Sequence, residues 1–174
     1  MEPIITEEKI FNLLGCIYYG NPFHFAPPWS YENEIGLLWK RYMNLAKTYK
    51  NFLNKNNVNP NIGYEVHIEP KEFQDTKNFY IFVGIEVFSF EFVPLEMIIK
   101  KLPKTKYLNF TTKADDFKTC GNIYSEWLPS SEYEQSYPYI IEAYEHPRYK
   151  GLTDKESEID WYIPIKKRNE SDNE

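Results

Sequence analysis

The sequence predicts an α+β fold: two βαββ units joined into antiparallel sheet, with the helices gathered on one side. Three observations lead there. The order strand, helix, strand, strand can be read twice along the 174 residues. One segment carries a clear three-and-four apolar period. The aromatic share, 18%, also exceeds what packing a chain of this length requires, which suggests ring-lined surface or a pocket.

The first unit starts at residues 9–20, "KIFNLLGCIYYG", whose β-branched and aromatic residues suit a strand ending at Gly20. The loop "NPFHFAPPWS" follows, with three prolines set among Phe23, Phe25 and Trp29, a composition that resists helix and strand while displaying rings. It has no visible packing duty, so Trp29 is expected to serve as a lid. From Ser30 a helix is predicted, with Ile35, Leu38, Trp39, Tyr42, Met43, Ala46, Tyr49 and Leu53 on one apolar face. Ser30 is its expected N-cap, Glu32 and Glu34 suit the positive end, and Lys47, Lys50 and Lys55 the negative end. Strands 62–69, "IGYEVHIE", and 78–87, "NFYIFVGIEV", complete the unit around the polar turn "PKEFQDTK".

The second unit repeats the order. Residues 97–112 read as a strand interrupted near Pro103, and 113–127 as a shorter helix capped by Thr112 with Asp115 and stopped by Pro129. "YPYIIEAYEH" and "EIDWYIPI" supply two more strands. One domain over 1–168 is expected, with pseudo-repeats at about 9–90 and 97–167. The charged stretch 169–174 reads as a disordered tail.

Charge and composition exclude several classes. Asp and Glu outnumber Lys and Arg 26 to 20, for a formal charge of −6, which argues against direct nucleic-acid binding. No stretch approaches the roughly 20 apolar residues of a membrane span, and the N-terminus lacks a signal-peptide core. Cys16 and Cys120 lie far apart without a CxxC, which fits a reducing cytoplasm. The histidines 24, 67 and 146 show no HxxxH spacing, and no GxSxG, GxGxxG or GxxxxGK occurs; neither a metal nor a cofactor is expected.

One residue does not fit this pattern. In "YPYIIEAYEHP" period-two alternation puts Ile140, Glu142 and Tyr144 on one face and Tyr139, Ile141 and Ala143 on the other, so neither face is plainly wet. A lone carboxylate there must find a partner, reach the surface or stay protonated.

"EIGLLWKRY" (34–42), "FVGIEV" (82–87), "LPKTKY" (102–107), "IYSEWLPSSEY" (123–133), "IIEAY" (140–144) and "IDWYIPI" (159–165) occur in an order that resembles the GyrI-like small-molecule-binding family, the effector-binding module of AraC- and MerR-type regulators. The resemblance implies a ligand cavity where the two units meet, walled by aromatics and carrying a glutamate, here matched by Glu142. With the whole length taken up by this module, it implies a stand-alone member. The implied function is binding of lipophilic, aromatic, often cationic small molecules. The alternative it implies is hydrolysis of cyclopropane-bearing alkylating natural products, with Glu142 as general base and Tyr144 polarising the substrate. A third reading, an inhibitor of a protein partner, would need an exposed apolar patch in place of a cavity.

Facing the junction, Tyr64, Tyr80 and Phe82 in the first unit and Phe110, Tyr144 and Trp161 in the second are the candidate ligand-binding rings. Tyr144 is the candidate to hydrogen-bond Glu142. Trp39 and Trp127, on helical apolar faces, read as core.

Overall fold

The computed structural model describes residues 3–28, 30–114 and 116–168. Trp29, the expected lid, and the tail 169–174 lie outside them. The strands are β1 (Ile4–Ile5), β2 (Lys9–Gly20), β3 (Ile62–Ile68), β4 (Phe79–Glu86), β5 (Ile98–Lys113), β6 (Tyr133–Gln135), β7 (Tyr139–Glu145) and β8 (Glu158–Lys167). Helices α1 (Glu34–Thr48) and α2 (Lys50–Asn56) follow β2, and a single turn, α3 (Phe73–Thr76), joins β3 to β4. After β5 come α4 (Phe117–Asn122), a π-helical turn (Ile123–Trp127) and α5 (Leu128–Ser130). The predicted strand, helix, strand, strand order is therefore present twice.

The helix boundaries correct two sequence expectations. Asn33, not Ser30, caps α1, its side chain accepting from the Gly36 amide at 2.9 Å. Thr112 belongs to β5, so the second helical segment is capped instead by Asp116, which accepts from the Thr119 amide at 3.1 Å. Nor does Pro103 interrupt its strand. It sits where the β2–β5 register slips between Lys9↔Thr105 and Phe11↔Leu102, a bulge that needs no proline amide.

Neighbouring strands pair in the order β1-β5-β2-β4-β3-β7-β8-β6, all antiparallel. Strand β5 is long enough to serve both units: residues from Ile98 to Thr105 pair with β2, and those from Lys106 to Lys113 with β8. That second pairing closes β2, β4, β3, β7, β8 and β5 into a circuit.

The space inside the circuit is packed solid. Phe11 meets Tyr64, Tyr107 and Tyr162 edge-on at ring separations of 5.3 to 5.6 Å, arrangements worth ~0.5–1.5 kcal/mol each beyond simple burial. Val66, Phe82, Leu102 and Ile141 fill the remaining volume, and Tyr107 and Tyr139 join hydroxyls at 2.8 Å. Outside the circuit are two helix-covered clusters. Leu14, Ile81 and Val83 pack under Leu38 and Tyr42 of α1, whereas Leu108, Ile159 and Ile163 pack under Ile123 and Leu128 of the second helical segment. Between these two clusters the outer face of the β3–β7 seam is left for something else. No helix among the described residues is long and apolar enough to cross a membrane.

Candidate functional site

Along the seam, β3 and β7 run antiparallel with Glu65 directly opposite Glu142 and Gly63 opposite Tyr144. Alternation turns Tyr64, Val66, Ile141 and Ala143 inward and Glu65, His67, Glu142 and Tyr144 outward, onto the floor of a cavity of about 780 Å³. This lies within the usual range for a small-molecule site. Helix α1 forms one wall through Ile35, Trp39 and Met43, and the opposite wall carries Cys120, Tyr124 and Trp161. Phe23, Pro28 and Tyr31 from the loop after β2 and Tyr149 and Leu152 from the loop after β7 form the rim. The two loops touch where the Leu152 amide donates to the Tyr31 hydroxyl at 3.1 Å.

Two acids directly opposite each other on a buried sheet face normally destabilise it. Both are almost fully buried here. Neutral donors hold their outer oxygens: Trp39 Nε1 donates to Glu65 Oε2 at 2.6 Å, and the Tyr144 hydroxyl to Glu142 Oε2 at 2.7 Å and toward Glu65 Oε2 at 3.3 Å. Their inner oxygens meet His67, whose Nε2 stands 2.6 Å from Glu65 Oε1 and 3.9 Å from Glu142 Oε1. Loss of water, reinforced by the Glu65 charge and opposed by His67 and the Tyr144 bond, pushes Glu142 up to about 7. Burial alone would lower His67, but its bond to Glu65 and the nearby acids outweigh that, and its pKa rises. Tyr144 is pushed well up by burial and by both carboxylates, so it stays a donor.

Glu65, His67 and Glu142 bring one ligand atom each within 4.8 Å of one another, the reach of a small metal ion. The contact between His67 and Glu65 is nevertheless a hydrogen bond at 2.6 Å, shorter than the ~3.3 Å between two ligands of a tetrahedral zinc.

Of the rings expected at the site, Tyr144 and Trp161 line the cavity. Tyr64 and Phe82 do not, because period-two alternation turns them into the packed interior of the circuit. Phe110 stands behind the wall, stacked on Trp161 at 6.2 Å, and Tyr80 is partly exposed against Tyr19 at 4.5 Å. Trp39 packs on the α1 core cluster as expected but also lines the cavity: its indole lies over the floor, and a Cβ on Gly63 would come within 2.9 Å of it. Trp127 packs in the second helical cluster as expected. Glu65 and His67 were missed, although a signal existed. Laying "GYEVHI" (63–68) on "IIEAYE" (140–145) as equivalent strands of the two units sets Glu65 against Glu142.

The chain is similar to several known proteins. The chain is 29% identical over 171 residues to the transcriptional regulator BrlR of Pseudomonas aeruginosa, across 95% of this chain and 56% of BrlR. It thus spans about half the length of that curated relative. Its fold is similar to SAV2435, whose structure was solved bound to tetraphenylphosphonium, at a TM-score of 0.67 and 11% identity over 95% of this chain and 94% of that one. An integron cassette protein, Cass2, of Vibrio cholerae superposes with a TM-score of 0.55 at 15% identity, over 95% and 97% of the two chains. The sequence model of one family matches residues 5–165, from ahead of β2 to within β8. The chain therefore belongs to the Cass2 family of integron-associated effector binding proteins, a GyrI-like family.

Proposed function

We propose that this protein binds lipophilic, aromatic cations in the seam cavity, as a sensor or sequestering agent for drug-like or toxic compounds. The observation that carries this reading is the pair Glu65 and Glu142, buried on one floor beneath Trp39, Tyr144, Tyr149 and Trp161. A delocalised cation there gains from both carboxylates and from ring faces, the latter worth up to ~2 kcal/mol when dry. The tetraphenylphosphonium held by SAV2435 has this chemistry, which supports the same class of ligand here. Calorimetric titration with tetraphenylphosphonium and with an uncharged triphenyl analogue is the test. The cation is expected to bind well ahead of the analogue, and Glu142→Gln to weaken it about tenfold or more near pH 8. Equal binding of both compounds, unchanged in the variant, would overturn the proposal.

One observation favours a hydrolytic use of the same cavity: the Tyr144 hydroxyl bonds at 2.7 Å to Glu142, which burial pushes up to about 7, the range that suits a general base. Turnover of a cyclopropane-bearing alkylator that disappears in Glu142→Gln would select that reading. An unchanged alkylator would exclude it.

A further inference from the structure

The position a ligand cation would occupy in this site already faces a protein group. His67 points Nε2 between the inner oxygens of Glu65 and Glu142, at 2.6 and 3.9 Å, while the opposite side of its ring packs on Phe79 at 5.4 Å. Trp39 and Tyr144 have meanwhile taken the outer oxygens. The two remaining oxygens, Glu65 Oε1 and Glu142 Oε1, therefore both face His67 Nε2, the first of them at hydrogen-bond distance.

We propose that His67 is the resident counter-cation of the site. In the empty protein its imidazolium offsets one of the two negative charges of the acid pair, and an arriving lipophilic cation takes over that role as the proton passes to solvent, so that one cation enters as a proton leaves. This rests on the cation-binding reading above and adds its regulation: affinity rises with pH because protons and ligand compete for the same two carboxylates. The balance is simple, since no bond to carbon forms or breaks and the proton ends on buffer.

The groups facing the cluster do not supply an alternative counter-charge. From β3 and β7 these are Glu69 and Tyr144, from the rim Tyr31 and Tyr149, and from the opposite wall Cys120 and Tyr124. All are acids, phenols or a thiol. Burial raises Cys120 to about 11 and moves Tyr124 and Tyr149 further from neutrality, so these three stay uncharged while the cluster titrates. Burial and the neighbouring acids do the same for Tyr144. No lysine or arginine is among the residues lining the cavity.

The test combines two variants with a direct look at the ring. In wild type, tetraphenylphosphonium affinity should climb about tenfold between roughly pH 6 and pH 9, and binding near pH 7 should release about half to one proton, counted by calorimetry in buffers of different ionisation enthalpy. The His67 imidazole resonances should move from the protonated to the neutral position on saturation. His67→Gln keeps an N–H donor but carries no charge, so its proton release on binding near pH 7 should fall to the share that Glu142 supplies, and its affinity should match wild type near pH 9. His67→Lys, a fixed cation, should bind weakly even near pH 9. Binding that depends on Glu142 yet is flat in pH, with the His67 resonances unmoved, would overturn this proposal and leave the cation-binding reading intact. A wild-type protein that takes up no phosphonium even near pH 9 loses both.

Discussion

At the scale of single residues, the site is decided by which atoms hold which carboxylate oxygen. Tyr144 shows this most directly. Its hydroxyl donates to Glu142 at 2.7 Å, and that bond favours the ionised acid against the upward push of burial and of Glu65. Tyr144→Phe keeps the ring against Trp39 and Tyr149 but removes the donor. The pH at which phosphonium binding reaches half its maximum is therefore expected to move up by about one pH unit, read from titrations at a series of pH values. An unshifted midpoint would mean that Tyr144 only packs. Trp39 holds the other acid in place through the 2.6 Å bond from its indole to Glu65.

At the scale of elements, the seam of β3 and β7 brings the acids together and α1 covers them. The helix can lie close because Gly63, opposite Tyr144, offers no side chain under the Trp39 ring. Gly63→Ala would set a methyl 2.9 Å from that ring. Overpacking of this kind costs ~1–3 kcal/mol, so the variant should melt earlier by several degrees and bind phosphonium less well. Calorimetry of the variant, free and loaded, checks both. A variant as stable and as tight as wild type would show that α1 is free to ride outward. The same strand has a second duty: Tyr64 and Val66 point inward into the solid circuit, so β3 is at once core and floor.

At the scale of the whole molecule, the site makes stability depend on pH in a definite direction. The fold raises Glu142 from the ordinary carboxylate value of 4.5 to about 7 and raises His67 above 6.5. Between those values the folded chain holds protons that the unfolded chain has released, so stability is highest at the acidic end of this window and falls as pH rises through it. For Glu142 the loss is at most roughly 3 kcal/mol. The empty protein is thus expected to melt at lower temperature near pH 8 than near pH 6, and Glu142→Gln to flatten the difference, as thermal unfolding across pH would show. Saturating phosphonium should act in the opposite sense, stabilising most at the alkaline end, because ligand binds the deprotonated folded state. A melting temperature that rises from pH 6 to pH 8 in the empty protein would contradict this electrostatic account.

Much of this was legible in the chain. The three-and-four spacing from Ile35 to Leu53 marked an amphipathic helical stretch, which the structure divides at Tyr49 into α1 and α2, and two rounds of strand, helix, strand, strand determined a duplicated antiparallel fold, because both signals are periodic and local. The place of Glu142 in an apolar strand marked it as the residue needing an explanation. Tertiary structure alone decided which rings meet it. Period two is ambiguous when both faces of a strand are buried, so Tyr64 and Phe82 could be assigned to the wrong side, and the sequence could not show that the circuit closed by β5 is filled. Matching the two repeats could single out Glu65, but only the β3–β7 register brings Glu65 and His67 against Glu142, juxtaposing Glu65 and Glu142 across 77 positions by strand pairing that no local period encodes.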